Sequence, residues 1–287
     1  MKRKRFWIIF SSVCLGLIIL CTIFALVFRL KTVDVEIRSR ETQASTNLGA
    51  DIKQRVLETG EFDFGKNILF MNFKDNIEKI EKSNPFVKVE QVVRHFPNIV
   101  RVYISEREPK YRVKESSEQT ENWYILDDEF KILDKVSETE LETKKISGTS
   151  CYFDQTIEIT KETCTLSASA IIGEFVEDKL STYLSDITAG FYGKTKDYTA
   201  IRMIDYSEIN GKFIVTMRNE GLKETNDAKG CNVVFYGTTD LYKKALSGAV
   251  AFIEGQEIES GDGRIENIPE EIIEIKQDAD GKYYAVS

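Results

Sequence analysis

Histidine is almost missing from this chain: among 287 residues the only one is His95. A single imidazole excludes multi-histidine metal sites. It also excludes any histidine-dependent triad not built on His95 itself, which sits in a turn beside Phe96-Pro97. The phosphate-cradling G-x-x-x-x-G-K-[ST], the nucleophile patterns G-x-S-x-G and S-x-x-K, and the dinucleotide pattern G-x-G-x-x-G are all absent. Acidic pairs exist at Asp127-Asp128 and around Asp278 to Asp280. Neither has cation-loop spacing closed by a glutamate, so both read as solvated turns. These absences point away from an enzyme, and the sequence calls for no metal and no cofactor.

Charge is missing from one long stretch. Phe6 to Phe28 runs without an ionisable acid or base, long enough for a helix to cross a hydrocarbon layer of about 30 Å. Lys2, Arg3, Lys4 and Arg5 precede the run, while only Arg29 and Lys31 follow closely. That asymmetry predicts residues 1–5 as a cytoplasmic tail, 6–28 as a transmembrane helix and the rest outside the cytoplasm. A cleaved signal peptide is the competing reading. It would have an apolar region of roughly 7–15 residues and a small-residue cleavage site, and Val27-Phe28-Arg29-Leu30-Lys31 offers no such site.

Basic charge is scarce in the remainder. Five of the 39 basic residues and none of the 47 acidic ones fall in residues 1–30, which leaves a net charge of −13 beyond them. So acidic a region argues against nucleic acid or anionic lipid as its ligand, since both are drawn to positive fields. About 257 residues suffice for two modest domains. Cysteine is sparse and forms no C-x-x-C pair. Cys14 and Cys21 fall in the span as packing residues; Cys151, Cys164 and Cys231 lie beyond it. An oxidising exterior permits a Cys151–Cys164 bridge, and the odd number leaves at least one thiol unpaired or cross-linking.

Hydrophobic periodicity then orders the chain. Val33, Val35 and Ile37 alternate with polar residues and predict a strand over 31–38. Leu48, Ile52, Val56 and Leu57 recur at helical spacing up to Thr59, with Gly60 as a stop; a second amphipathic helix covers 73–82 until Asn84-Pro85 breaks it. Strands over 86–94 and 99–106 flank a turn at His95-Phe96-Pro97-Asn98, with Val100, Val102 and Ile104 on one face. Strand, helix, helix, strand, strand is an α+β layout with two helices on one face of a small mixed sheet. Farther on, short strands are expected at 111–113, 123–126 and 131–133, with a solvated loop over 115–122. A long helix is expected over Ala168–Phe191, carrying Ile171, Ile172, Phe175, Val176, Leu180, Leu184 and Ile187. Strands follow at 200–206, 212–217 and 232–236, then a helix over 239–253, a turn at Gly261 and Gly263, and strands at 271–276 and 282–286. The result is a β-rich region with a long helix and a C-terminal helix.

The most informative passage is Asn84-Pro85-Phe86-Val87, then Arg94-His95-Phe96-Pro97-Asn98, the alternating strand Val100 to Ser105, and Glu106-Arg107-Glu108-Pro109. It resembles the signature of a POTRA domain of the FtsQ/DivIB type, P-[FW]-V, R-x-[FWY]-P-N and E-R-x-P. Gly65-Lys66-Asn67-Ile68-Leu69-Phe70 resembles that family's G-x-N-I-F loop. Tyr124 to Leu133 is similar to its Y-x-x-D-x-x-G-x-V-L strand pair, with Phe130 where glycine is usual. Val234-Phe235-Tyr236-Gly237, Leu241 to Leu246 and Ile273-Glu274-Ile275-Lys276 resemble its later strands and helix; Val136 to Thr165 fits poorly. Taken singly, Pro97-Asn98 is a hairpin turn, Pro85 stops a helix, and Arg94 and Glu106-Arg107 read as surface ion pairs or partner contacts.

The resemblance implies a POTRA domain over 31–108 and an extracytoplasmic β domain over 109–287. It implies a non-enzymatic cell-division scaffold at the septum, in contact with FtsL-like and FtsB/DivIC-like bitopic membrane proteins and, indirectly, with the septal peptidoglycan synthase. Two other classes fit worse. An outer-membrane assembly factor would continue into lipid-facing barrel strands, and a membrane sensor would need more than five residues inside. In the family the last strands offer a sheet edge to a partner strand. The stretch matching it is Ile275 to Val286, with Ile275, Lys276, Gln277, Tyr283, Tyr284 and Val286 as partner-binding residues. Tyr283 and Tyr284 carry two readings, an interface hot spot or the closure of the β domain.

Overall fold

In the computed structural model described here, the apolar run forms one unbroken helix, α1 (Lys2–Val27). The structure describes residues 2–38, 48, 51–116, 122–144, 153, 156–161, 166–167, 170–176, 179–196, 200–218, 231–260 and 272–286. Cys151 and Cys164, the loop beyond Ser116 and the Gly261–Gly263 turn lie outside these residues. The chain divides into two compact units, Met1–Arg107 and Glu108–Ser287.

No residue of Phe10–Val27 is buried against the rest of the chain, so its large side chains have only an apolar solvent to face. This exposed apolar helix fits a single-pass membrane protein. Beyond it come β1 (Thr32–Ile37), α2 (Ile52–Thr59), α3 (Lys74–Ser83), β2 (Val87–His95) and β3 (Ile99–Glu106). The sheet order is β1-β3-β2. Strand β3 is central, parallel to β1 and antiparallel to β2. Val100, Val102 and Ile104 point to one face and are fully buried, with Val33 and Val35 from β1, Ile52 and Val56 from α2, and Ile80 from α3. Helix α2 ends where the sequence supplies glycine. A Cβ on Gly60 would lie 2.6 Å from the Phe62 ring and 2.8 Å from the Val56 carbonyl oxygen. Helix α3 ends on Asn84, whose side-chain amide donates to the Ile80 carbonyl at 3.0 Å.

The two motif arginines are structural clamps here. Arg94 donates to the carbonyls of Ile68 (2.7 Å) and Met71 (2.6 Å), tying the loop before α3 to β2. Arg107 is buried and pairs with Glu81 at 3.2 Å. A buried guanidinium needs such a partner, because desolvating it alone costs several kcal/mol.

Among its described residues the second unit is built around ten strands. They are β4 (Tyr111–Ser116), β5 (Asn122–Leu126), β6 (Ile132–Ser137), β7 (Ile157–Lys161), β8 (Leu166–Ser167), β9 (Ile201–Ser207), β10 (Lys212–Met217), β11 (Asn232–Tyr236), β12 (Ile272–Gln277) and β13 (Tyr283–Val286). Their order is β13-β12-β11-β10-β9-β7-β4-β5-β6, with β8 pairing β4. Three described helices accompany them: α4 (Glu138–Thr143), α5 (Lys179–Thr195) and α6 (Leu241–Ser260). Alternate residues of the strands meet α5 and α6 in one core that includes Tyr111, Tyr124, Leu184, Ile187, Phe191, Phe213, Phe235 and Ala245. Small residues let these helices seat closely. A Cβ on Gly190 would stand 2.7 Å from Ala245 Cβ, and one on Gly248 2.5 Å from Val233 Cγ1. A smaller cluster, Trp123, Ile125, Val136, Leu141 and Phe153, lies apart from that core.

The expected helix over Ala168–Phe191 is corrected. It begins only at Lys179, and residues 170–176 are not helical. Ile171, Ile172 and Phe175 are exposed rather than buried. Gly173 adopts φ +90, a left-handed value that breaks a right-handed helix. The freed backbone pairs with β6 instead: Gly173 donates to Ile132, Ile132 to Glu174, and Val176 to Phe130. Helical spacing of 171, 172, 175 and 176 is also what a turn followed by an edge segment produces.

Asp127-Asp128 and Asp278-Ala279-Asp280 form turns of the same kind, but only the second is solvated as expected: Asp127 is fully buried because its carboxylate is turned onto backbone amides. Asp127 Oδ1 accepts from the amides of Glu129 and Lys131, and Asp278 Oδ1 from those of Asp280 and Lys282. Each ends on a left-handed residue, Phe130 at φ +63 and Gly281 at φ +82. Phe130 therefore occupies a glycine's conformation while its ring stacks on Tyr111 at 4.8 Å. Left-handed φ costs a non-glycine residue about 1–2 kcal/mol, and truncating a buried phenylalanine costs about 3–5 kcal/mol. Phe130→Gly is thus expected to destabilise the protein by about 2–3 kcal/mol in denaturant unfolding, since lost packing outweighs relieved strain. A stabilised variant would show the strain to be the larger quantity.

Candidate partner-binding edge

Among the described residues the ten-stranded sheet does not close, so it has two edges, and a sheet edge presents unpaired N–H and C=O groups. At the β6 edge the backbone is partly used already. Segment 173–176 bonds to Phe130 and Ile132 at 2.8–2.9 Å. At the other edge β13 pairs with β12 alone, and no described strand lies on its far side. Of the stretch Ile275 to Val286, only β13 lies at the edge; β12 is flanked by β11 and β13.

The hairpin fixes which groups of β13 point outward. Asp278 donates its amide to the Lys282 carbonyl at 3.0 Å, which makes those two residues a hydrogen-bonded pair. Antiparallel pairs alternate between bonded and non-bonded. In the observed register Lys276↔Tyr284 and Glu274↔Val286 are therefore bonded pairs. Tyr284 and Val286 turn their amides inward to β12, and Tyr283 and Ala285 turn theirs outward.

Side chains alternate in the other dimension. Ile275 is buried in the main core, and Tyr283 packs against the same core. The Tyr283 hydroxyl donates to Asp240 Oδ2 at 3.2 Å, while Asp240 also pairs with Lys243 at 3.3 Å. Those contacts hold the Asp240 carboxyl below its usual range, the Lys243 hydrogen bond first among them. Burial and the neighbouring carboxylate hold the Tyr283 phenol above its usual range. Lys244 reaches back from α6 to the carbonyls of Tyr236 (2.5 Å) and Gly237 (3.2 Å), and its partial burial lowers its pKa. Tyr283, Asp240 and Lys244 together tie the edge strand and the end of β11 to the start of α6.

The opposite face carries the exposed side chains. Tyr284 is opposite Lys276 in the β12–β13 register. Extending the parallel β11–β12 register by one same-face step puts Tyr236 beside Lys276. The row Tyr236, Lys276, Tyr284 thus runs across three strands to the open edge, with both rings nearly half exposed. Glu274 pairs with Lys276 at 3.0 Å and stands opposite the half-buried Val286. The Gln277 side chain only closes its own turn, donating to the Gly281 carbonyl at 3.1 Å. Of the residues the sequence pointed to, Lys276, Tyr284 and Val286 share this face, whereas Ile275 and Tyr283 serve the core face. Sequence reading missed Tyr236, Asp240 and Lys244 as parts of this corner; the signal available was the strand-glycine-helix motif that contains them. Among the described residues no cluster of three or more His, Cys, Asp or Glu side chains is placed to hold a metal ion.

A profile described as "POTRA domain, FtsQ-type" matches residues 50–107, which span α2 to the end of β3. The chain is also 23% identical over 267 residues to "Cell division protein DivIB" of Clostridium botulinum, covering 90% of this chain and 85% of that protein. An FtsQ-type POTRA match in the first unit, inside a similarity that runs through nearly all of both units, supports a cell-division protein of the FtsQ/DivIB type.

Proposed function

We propose that the chain is a non-enzymatic, membrane-anchored scaffold of the division septum. Residues 1–5 lie in the cytoplasm, residues 31–108 form the POTRA domain and residues 109–287 the extracytoplasmic β domain. FtsL-like and FtsB/DivIC-like bitopic proteins dock on the β domain and are thereby linked to the septal peptidoglycan synthase. The observation that best supports a docking role is the inequality of the two sheet edges: segment 173–176 bonds to β6, whereas no described strand pairs with the far side of β13. A partner strand added to β13 gains main-chain hydrogen bonds there and meets Tyr284 and Lys276 on one face for specificity.

The test is purification of the tagged full-length protein from native membranes in mild detergent. Two small single-span proteins are expected to co-purify, and their absence at every detergent tried counts against the reading. In a cysteine-free background, a cysteine at the exposed position Asn210 is expected to react with an impermeant thiol reagent in intact cells, and one at Lys2 is not. Reversed labelling overturns the orientation.

A further inference from the structure

Beyond α1, three large apolar side chains among the described residues of the first unit are exposed. Phe70 is 84% exposed, Phe64 60% and Phe96 59%. Their neighbours Phe62 and Phe73 are buried in the same unit, so the sequence had the means to bury aromatics here and did not. The loop that carries two of the three is pinned. Arg94 holds the carbonyls of Ile68 and Met71, and Asn67 accepts from the amides of Leu69 and Phe70. Phe70 is therefore presented on a fixed turn rather than on a loose one.

Where that turn lies is set by the end of the membrane helix. The Ile68 amide donates to the Phe28 carbonyl at 2.9 Å, Leu30 donates to Lys66 at 2.8 Å, and Gly65 donates to Leu30 at 2.9 Å. Arg29 and Asn67 form a β-bridge. The Phe28 ring meets the Phe96 ring edge-on at 5.8 Å. Phe28 immediately follows the last residue of α1. The backbone of residues 65–68 is thus hydrogen-bonded to the residues that leave the hydrocarbon. A bilayer has about 30 Å of hydrocarbon and about 40–45 Å in all, so the headgroup layer is roughly 5–7 Å deep on each side. A loop bonded to the exit residues lies inside that layer, where aromatic side chains are favoured.

We propose that Phe64, Phe70 and Phe96 form a lipid-facing tip that inserts into the outer-leaflet interface and fixes the first unit against the membrane. The proposal rests on α1 spanning the bilayer. The occupant is lipid because the apolar surface continues from the span through Phe24, Phe28 and Phe96, whose rings are in successive contact. Insertion is driven by apolar area, not by charge: the region beyond residue 30 is strongly acidic, so the tip enters zwitterionic lipid as readily as anionic lipid.

Depth-dependent tryptophan quenching tests this. Full-length protein with Trp7→Phe is reconstituted in two sets of phosphatidylcholine vesicles, one with chains brominated near the headgroup and one with chains brominated near the bilayer centre, and Trp123, buried in the second unit, supplies a constant background. Phe70→Trp, Phe64→Trp and Phe96→Trp are each expected to add blue-shifted emission, most of it removed by brominated lipid. Ile209→Trp, in an exposed turn of the second unit, is expected to emit as in water and remain unquenched. Leu17→Trp, in mid-helix, reports the span itself. If Leu17→Trp is quenched while all three tip variants emit as in water, the tip proposal is overturned and the span stands. If Leu17→Trp is also unquenched, both are overturned. A tip shielded from aqueous quencher but untouched by brominated lipid overturns it too, in favour of a protein contact.

Discussion

Ala285→Pro is expected to weaken capture of the partner strand at least about tenfold while leaving the protein folded. The hydrogen-bond parity of the terminal hairpin carries this expectation. Ala285 directs its N–H away from β12, so a proline there removes a donor that the fold itself does not use. The ring fills the space an incoming strand must enter. Loss of one hydrogen bond plus that clash exceeds about 1.4 kcal/mol, which is a factor of ten in affinity. The inward bonds of Tyr284 and Val286 remain, and the alanine side chain is exposed, so unfolding free energy is expected to move by less than about 1 kcal/mol. Alanine at Gln277 or Lys282 is expected to change binding little, because those side chains lie at the turn and strand addition is a main-chain interaction. Truncation after Asp278 is a less clean experiment. It also removes the Tyr283–Asp240 hydrogen bond and a strand that packs beside Ile275. If pull-down of the bitopic partners by Ala285→Pro equals wild type and its melting curve is unchanged, β13 is not where the partner adds.

A proline at Tyr284 would attack the wrong side of the strand, because its amide faces β12. Nothing in the order Tyr283-Tyr284-Ala285-Val286 says which amides face β12; that parity is set by the turn, through Asp278, Gly281 and Lys282. The same limit explains what else was and was not legible. In the first unit each strand alternates and each helix carries apolar residues at 3.6-residue spacing, so elements and faces followed from pattern. In the second unit β7 was missed. It has only Ile157 and Ile159 as apolar signals, and its pairing partners β4 and β9 lie more than forty residues away on either side. Helix α4 was missed although Ser137 and Glu140 spell a capping box, because its single buried residue is Leu141. The edge itself was legible as a terminal strand. Its openness was not, because that depends on where β6, Gly173 and the rest of the sheet lie.

Val102→Asp is expected to be the most damaging single change in the first unit. Val102 is fully buried on the central strand, opposite Val35 of β1 and Val92 of β2, in the cluster with Val56 and Ile80. The basic side chain nearest in sequence, Arg101, points to the other face, where it pairs with Glu36 at 3.0 Å. An introduced carboxylate would therefore be buried without a counter-ion, at a cost on the order of 3–5 kcal/mol. Marginal stability of about 5–15 kcal/mol for a domain makes that a large fraction. Its pH dependence separates charge from shape. Burial raises the introduced carboxyl's pKa in the folded state above its unfolded value of about 3.9. The unfolded state then binds fewer protons than the folded one, so stability falls as pH rises through that interval and levels off above the folded pKa. Acidification toward pH 4 is expected to recover part of the loss, leaving the cost of a buried neutral carboxyl and the lost methyls. Thr32→Asp, on an exposed position of β1, adds the same charge and is expected to show neither the loss nor its recovery. Equal melting temperatures for the Val102 and Thr32 variants across that pH range would mean that β3 presents its other face to the helices.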